Sequence, residues 1–376
     1  MGAQIMGLEF VLPLYLVFGF LVIVAAFDVL SDRRLPSVVI SVLMGAPLIL
    51  LATLRAAGVG SDDLAYLQMA NEIPSLLDCK NIYCDYSYST FNVEFGFFMF
   101  LSLLAVIGKN SFVLFGFSSL FAVVLNIRSI RYFSPYFALG VLVYFTHFYL
   151  AKELNAIRLG IASGLLFLAA MYLHRQRYMK LAFYVIAATL VHVSSVFFII
   201  PLSLYKMKPK RILYLFVSVI LVLMAMLIDF KSVLRQAALF GFVGEKIELY
   251  LNADMYSYAL PLFDMVNIKN LLIILLSLIC WRKLEVRYPT FNLVFCMFYC
   301  AAFFRIVLGD FAILAGRGYA SISMFEYVLL PMIAVHLLGR KLGFLAVCLY
   351  AFGTLYLNLS TNSGWTGGSE VFFDFL

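Results

Sequence analysis

The sequence predicts an all-α polytopic membrane protein with about 11–12 transmembrane helices. Of its 376 residues, 64% are hydrophobic and only 12% are charged, whereas a soluble domain carries about 25% charged residues because its surface meets water. Apolar runs near the 17–25 residues that cross a bilayer recur along the chain. They lie at 8–27, 36–54, 112–127, 133–150, 157–173, 181–205, 212–229, 268–281, 289–304, 320–338 and 342–358. We expect one membrane domain over residues 1–376.

The charges in the loops predict the orientation of these helices. Cytoplasmic loops are enriched in lysine and arginine. The basic loops carry Arg33/Arg34, Arg128/Arg131, Arg175/Arg177/Lys180, Lys206/Lys208/Lys210/Arg211, Arg282/Lys283/Arg287 and Arg340/Lys341. The loop 55–90 is acidic instead. The periplasmic pieces are therefore predicted to be 55–110, 151–156, the turn at His192, 230–267, 305–319 and the tail after Asn358. Because orientation accounts for the net charge of +7, we expect no nucleic-acid partner.

Two apolar runs, 91–107 and 181–205, fit this charge pattern only if they do not cross the membrane. If 91–107 crossed, Arg128 and Arg131 would lie outside, so we expect this run to lie along the outer face. The run 181–205 is basic at both ends, which predicts two half-helices that turn near His192–Ser195. Non-helical backbone is tolerated at that depth where it lines a polar cavity.

Five cations remain on the outer face that orientation does not require. They are Arg55, Lys152, Arg158, Arg305 and Arg317. Charged groups at membrane depth are costly and mark functional sites. The alternatives are snorkelling to the interface or internal ion pairs, such as Lys152 with Glu153 and Arg305 with Asp310. Cations on one face repel one another, so they predict a bound anion, and a diphosphate offers oxygens that match the guanidinium fork.

The segment 152–162 combines these features at the start of a predicted helix. Lys152, Asn155 and Arg158 are spaced about one helical turn apart, so they share a face. Donors at the positive end of a helix dipole form an anion site. Asn155 is also suited to cap a helix that begins near Ala156.

Three side chains are candidate proton acceptors for catalysis: His192, Asp62 and Glu94. Each has a structural alternative, since His192 suits packing, Asp62 suits a helix N-cap, and Glu94 suits a helix N-terminus or an arginine partner. Metal-site, phosphate-loop and nucleophile-elbow motifs are absent from the sequence, so we expect no metal and no cofactor. Cys79 and Cys84 are spaced for either a short disulfide or two free thiols.

At these residues the chain resembles the EpsG-type Wzy family, bacterial polymerases of surface-polysaccharide repeat units. The resemblance covers roughly residues 50–335. It rests on Arg55 with Gly60-Ser61-Asp62 and Tyr66, Glu94-Phe95-Gly96-Phe97, Asn155-Ala156-Ile157-Arg158-Leu159-Gly160-Ile161-Ala162, His192-Val193-Ser194-Ser195, and Gly316-Arg317-Gly318-Tyr319 with Pro331. The family usually shows glutamine after the arginine, where this chain has Leu159.

The resemblance implies a glycosyltransferase that polymerises undecaprenyl-diphosphate-linked repeat units, of O-antigen or a related polysaccharide, at the periplasmic face of the bacterial inner membrane. It also implies a GT-C-like fold with periplasmic juxtamembrane helices. Arg158, Arg317, Lys152, Arg55 and Asn155 would bind the diphosphate, and His192, Asp62 or Glu94 would accept a proton. The expected partners are the lipid-linked donor and acceptor glycans, the lipid bilayer and a chain-length regulator. A lipid-linked glycan transporter or flippase, and an O-antigen ligase, remain alternatives.

Overall fold

The described parts of the chain are built from helices alone. The structure is a computed structural model and describes residues 7–31, 36–79, 93–237, 258–360, 366–367 and 369–373. Over these ranges it contains helices and no strand, which confirms the predicted all-α class. The helices are α1 (Leu8–Leu30), α2 (Ser37–Thr53), α3 (Asp63–Glu72), α4 (Phe95–Leu104), α5 (Ser111–Phe133), α6 (Phe137–Val143), α7 (Leu150–Lys152), α8 (Ile157–His174), α9 (Tyr178–Val191), α10 (Ile199–Lys206), α11 (Arg211–Leu227), α12 (Phe230–Ala237), α13 (Met265–Ile279), α14 (Trp281–Arg287), α15 (Phe291–Val307), α16 (Ala312–Ile322) and α17 (Glu326–Ser360).

Several helices are able to span a membrane. In the described ranges, α1, α5, α8 and the stretch Ala312–Ser360 are long and apolar enough, and α13 with α14 forms a bent pair with an angle of 77°. Seven shorter apolar helices of 10–17 residues accompany them. Gly339, with φ 77° and ψ 177°, interrupts α17, at the boundary predicted between runs 320–338 and 342–358. The chain is therefore a multi-pass membrane protein.

The chain divides into two compact units. The first comprises Met1–Val193 with Leu330–Leu376, and the second comprises Ser194–Leu329. In the first unit, α8 is the central helix and is buried on nearly all sides, as expected of a helix that is apolar all round. It packs against α5 and α9. A Cβ atom at Gly164 would lie 3.0 Å from the Leu125 Cβ atom, so glycine permits the close approach of α8 to α5.

One end of the first unit gathers the loops that were predicted to be cytoplasmic. Arg131 Nη1, near the end of α5, donates to Ser41 Oγ in α2 at 2.6 Å. Arg340 Nη2 donates to the Ser31 carbonyl oxygen, just after α1, at 3.2 Å. The Tyr132 hydroxyl bonds His174 Nδ1, at the end of α8, at 2.7 Å.

The other end gathers pieces that were predicted to be periplasmic. The C-terminal tail pairs with the loop after α2, where the Ala56 N–H donates to the Phe372 carbonyl at 2.8 Å. The Phe372 ring also lies 5.6 Å from the Phe10 ring at the start of α1. Since α1 has 23 residues, it is roughly 34 Å long, so these two groups of loops lie at opposite ends of the unit. Which of these two ends faces the periplasm stays a prediction.

Helix α4 begins and ends at the same end of the first unit. Its 10 residues span roughly 15 Å, about half of the hydrocarbon thickness. Glu94, just before it, bonds Arg158 at the start of α8. Lys109, just after it, donates to the Asn71 carbonyl in α3 at 3.0 Å. The non-crossing position of 91–107 in a membrane stays a prediction.

The predicted interruption of 181–205 is confirmed. Helix α9 ends at Val191, and His192 is extended, with φ −153° and ψ 116°. A 3-10 turn, Val193–Phe198, follows and leads into α10. His192 thereby lies at the C-terminal end of α9.

The second unit is arranged around α15. This helix is largely buried and packs against α10, α11, α13 and α16. The predicted loop 230–267 begins with α12, and its residues 238–257 lie outside the described part of the chain.

The cysteines fall into the two groups that the sequence indicated. Cys79 is disulfide-bonded, and Cys84 lies outside the described residues. The four cysteines of the apolar runs are free thiols: Cys280, Cys296, Cys300 and Cys348.

Candidate functional site

Glu94, Arg158 and His192 meet in the first unit. Arg158 Nη1 donates to Glu94 Oε2 at 2.6 Å. The other carboxylate oxygen, Oε1, lies 3.2 Å from His192 Nδ1 and accepts from the Val193 N–H at 3.3 Å. The helix break at His192 turns this N–H towards Glu94. Two residues predicted as proton acceptors and one predicted as a diphosphate ligand are thus in direct contact.

The electrostatics of the cluster keep Glu94 ionised. Burial raises the pKa of the Glu94 carboxyl group, but the hydrogen bond to His192 and the positive charge of Arg158 outweigh this effect and lower the pKa to about 2. A carboxylate of such low pKa is a weak proton acceptor. It is well suited to orient His192, because a neutral imidazole that donates from Nδ1 keeps its lone pair on Nε2.

Arg158 lies beside two neighbouring aromatic residues, Tyr66 and Phe97, whose ring centroids are 5.7 Å apart. Its Nε atom donates to the Tyr66 hydroxyl at 3.4 Å, and its guanidinium carbon lies 5.7 Å from the Tyr66 ring and 5.8 Å from the Phe97 ring. Burial raises the pKa of Tyr66, and Arg158 only partly offsets this, so the hydroxyl stays neutral. The Arg158 side chain is 24% exposed, so part of it is accessible to a ligand.

Arg55 occupies a closed ion pair. Its Nε and Nη2 atoms donate to the Asp63 carboxylate at 3.2 and 2.8 Å, and Nη1 donates to the Ala52 carbonyl. The guanidinium carbon lies 3.7 Å from the Phe115 ring, and both charged side chains have no exposed surface. No atom of the Arg55 side chain is exposed for contact with a diphosphate. We therefore assign Arg55 a structural role, in which it holds the loop before α3.

Asn155 joins the start of α8 to that same loop. Its Oδ1 atom accepts from Ser61 Oγ at 3.0 Å and from the Asp62 N–H at 2.9 Å. The prediction that Asn155 caps α8 was wrong, because the N-cap is Ala156, without a side-chain cap, and the amide of Asn155 is used across the loop. Asp62 is the N-cap residue of α3, as one alternative predicted, and is exposed.

Lys152 is buried away from solvent. Lys152 comes shortly after a π-helical turn, Tyr144–Tyr149, in the chain. Its Nζ atom lies 5.1 Å from the Phe148 ring. Within the described residues this amine has no hydrogen-bond partner. Glu153 instead accepts from the Tyr144 hydroxyl at 2.7 Å. Lys152 therefore adds no described contact to the Arg158 cluster.

The remaining predicted cations belong to the second unit. Arg317 lies on α16 and is half-buried. Arg305 pairs with Asp264, so the expected pair with Asp310 was wrong. Asp310 instead accepts from the Phe230 N–H.

Lys269 and Glu326 form an ion pair at 2.6 Å that was not predicted from the sequence. Each is a lone charge within an apolar stretch, and this signal could have identified them. In the part of the chain that the structure describes, no group of three or more His, Cys, Asp or Glu side chains is arranged to hold a metal ion.

The fold and this cluster define a multi-pass membrane protein with an acid–histidine–arginine site beside a helix start. The family model described as "EpsG family" matches residues 38–371, so the chain belongs to the EpsG family. It is also similar to the amylovoran biosynthesis protein AmsC of Erwinia amylovora, with 22% identity over 320 residues, 84% of this chain and 83% of that protein. No solved structure matches the chain.

Proposed function

We propose that this protein is a polysaccharide polymerase that joins repeat units carried on undecaprenyl diphosphate, at the periplasmic face of the bacterial inner membrane. Membership of the EpsG family and the similarity to a biosynthesis protein for amylovoran support polysaccharide synthesis. The observation that carries the proposal is the contact of Glu94 with both His192 and Arg158. It places an oriented base and a cation side by side.

In the proposed reaction a sugar hydroxyl of the acceptor attacks the anomeric carbon of the donor glycan. His192 Nε2 takes the hydroxyl proton while the new carbon–oxygen bond forms. The bond from the anomeric carbon to the diphosphate breaks, and the lipid diphosphate leaves with that electron pair. General-base catalysis of this kind contributes about 10²–10⁴-fold. Glu94 orients the imidazole and stabilises it once it is protonated.

Arg158 is the proposed contact of the leaving diphosphate. Its positive charge and the positive end of the α8 dipole both favour the negative charge that develops as the bond breaks. Arg317, on α16, stays a predicted diphosphate ligand. Asn155 and the buried Arg55 hold the loop and the helix start beside Arg158. Lys152 stays a predicted diphosphate ligand.

Asp62 is the second candidate for the base. Its carboxylate is exposed, unlike that of Asp63, and lies close enough to Tyr66 to influence its titration. His192→Gln and Asp62→Asn discriminate between the two, because only loss of the true base abolishes polymerisation in a strain that makes each variant at wild-type level.

Deletion of the gene tests the function itself. We expect the surface-polysaccharide ladder on a gel to collapse to carriers capped with a single repeat unit, and plasmid-borne wild type to restore it. Loss of a ligase would instead leave polymer on the lipid carrier, and loss of a flippase would leave single units on the cytoplasmic side. An unchanged ladder would rule out the proposal.

A further inference from the structure

Three helices of the first unit bring exposed cations together at the end that was predicted to face the cytoplasm. Helix α5 carries Arg128 near its end, the turn between α8 and α9 carries Arg175 and Arg177, and the first turn of α9 carries Lys180. All four residues are exposed, and α8 packs against both α5 and α9. We call these four residues the basic cluster.

Tyrosine rings hold two of these cations. The Arg175 guanidinium carbon lies 4.5 Å from the centroid of the Tyr132 ring, and Lys180 Nζ lies 5.5 Å from that of the Tyr172 ring. Cations within about 6 Å of a ring centroid are attracted to the ring face. Tyr132 is fixed in turn, because its hydroxyl bonds His174 Nδ1 at 2.7 Å. The two cations therefore have defined positions.

Arg128 connects these two contacts. It lies one helical turn before Tyr132 on α5, so the two side chains share a face of the helix. It is also close enough to Tyr184 of α9 to interact electrostatically with its hydroxyl. The Tyr184 ring stacks on the Tyr172 ring, with centroids 5.2 Å apart and an interplanar angle of 6°. The cations from the three segments thus form one surface.

The basic cluster has no acidic partner of its own. Within the ranges that the structure describes, none of its four side chains forms an ion pair. Like charges that lie side by side repel one another, so a bound anion would stabilise them. Orientation in the membrane requires basic loops, but it does not require cations from different helices to converge on one surface.

An apolar stripe begins beside the basic cluster on α9. Met179, Phe183 and Ile186 are 87%, 65% and 59% exposed, and their spacing of four and three residues places them on one face of the helix. Lys180 directly follows Met179 in the chain. A molecule that carries both a phosphate group and acyl chains contacts the two surfaces together, whereas a free phosphate or an acidic protein segment matches the cations alone.

We infer that the basic cluster binds the headgroup of an anionic phospholipid. The phosphate contacts Arg128, Arg175 and Lys180 through charge-assisted hydrogen bonds, and the acyl chains lie along the apolar stripe. Basic pockets between membrane helices on the cytoplasmic side bind headgroups of this kind, including cardiolipin. The site is separate from the one at Glu94, and the inference does not depend on the proposed function.

The test is a titration of the purified full chain in detergent with cardiolipin, followed by native mass spectrometry. Arg175→Gln combined with Lys180→Gln removes the two cations held by tyrosines. We expect the dissociation constant to rise about 10- to 30-fold, since each basic side chain near an anionic lipid surface contributes about five-fold. The matched control is Arg282→Gln combined with Lys283→Gln, two exposed cations of another basic loop, which removes the same charge and should bind cardiolipin as wild type does.

Two competitors, inorganic diphosphate and poly-glutamate, identify the ligand. Each is added at a concentration equal to that of the lipid and at constant ionic strength, and neither is expected to displace cardiolipin. Displacement by diphosphate would show that the acyl chains contribute nothing, and displacement by poly-glutamate would assign the surface to an acidic protein segment. Either result would overturn the lipid site, as would equal losses in the two double variants or no cardiolipin binding by wild type.

Discussion

At the scale of single residues, Glu94 determines how the site is organised. One carboxylate holds a base candidate with one oxygen and a cation with the other. A change that removes its charge but keeps its shape therefore affects both neighbours at once. Arg158 loses its ionic partner, and His192 loses the acceptor that fixes its tautomer.

Glu94→Gln is expected to lower polymerisation about 10²-fold, because a glutamine neither fixes the His192 tautomer nor stabilises the imidazolium. The polymerisation rate is measured as chain extension of lipid-linked repeat units by the purified enzyme. Gln68→Glu, a charge change on the exposed side of α3, serves as the control and should leave the rate near that of wild type. A Glu94→Gln enzyme of full activity would show that the Glu94–His192 contact has no catalytic role.

The low pKa of Glu94 also predicts how stability depends on pH. The folded pKa of about 2 lies below the ordinary value of 4.5. The ionised carboxylate therefore stabilises the fold above about pH 4.5, and this contribution is lost as the pH falls towards 2. The difference in unfolding temperature between wild type and Glu94→Gln should shrink between pH 6 and pH 3.

Thermal unfolding in detergent across that range is the measurement. Glu9→Gln removes an exposed carboxylate at the start of α1 and should follow the wild-type curve at every pH. A difference for Glu94→Gln that stays constant with pH would contradict the prediction.

At the scale of elements, the packing of α4 on α9 sets the position of Glu94. A Cβ atom at Gly96 would lie 2.8 Å from the Leu190 carbonyl carbon and oxygen, so the helices have no room for a larger residue. Gly96→Ala should destabilise the protein by about 1–3 kcal/mol and lower activity, since α4 must move away with Glu94.

Gly353→Ala provides the matched control for this exchange. Gly353 lies in α17, and in the described part of the chain no neighbouring side chain lies within 4 Å of the position that an added Cβ atom would take. Alanine favours helices by up to about 1 kcal/mol over glycine. Unfolding temperatures of the two variants should shift in opposite directions. Equal shifts in unfolding temperature for the two variants would mean that the contact of α4 with Leu190 does not constrain the site.

The loop between α2 and α3 contains two adjacent aspartates with different roles. Asp63→Asn leaves the buried Arg55 charge uncompensated and is expected to cost about 3–5 kcal/mol. Asp62→Asn changes an exposed carboxylate and should change stability by no more than about 0.5 kcal/mol. The loss of stability in each variant is measured by denaturation and by expression level. Similar losses in the two variants would refute the assignment of Arg55 to a closed ion pair.

At the scale of the whole molecule, the orientation in the membrane remains a prediction that labelling can test. A cysteine in place of Lys109 should react with an impermeant maleimide in intact spheroplasts. A cysteine in place of Met179, at the start of α9, should react only after permeabilisation. The unsubstituted chain is the control for the native thiols, and reaction of both positions from the same side would overturn the arrangement of α4 and α5.

The local sequence determined the membrane class and predicted which loops share a side of the membrane. Both depend on composition within short windows, because the free energy of placing a residue in lipid and the bias of basic loops act locally. The same reasoning predicted the helix break at His192, which the structure shows. It also predicted the non-crossing position of 91–107, which stays a prediction. Both follow from charges at the ends of single runs.

Only the tertiary structure decided which charges meet. Glu94 and Arg158 are 64 residues apart, and Glu94 and His192 are 98 apart, so no local pattern pairs them. The cations that looked equivalent in the sequence differ in the structure. Arg55 forms a buried ion pair, Lys152 is a buried amine, and the Arg158 side chain is partly exposed. The physical reason is that burial and pairing depend on packing between distant segments, whereas hydrophobicity and loop charge are carried by each segment alone.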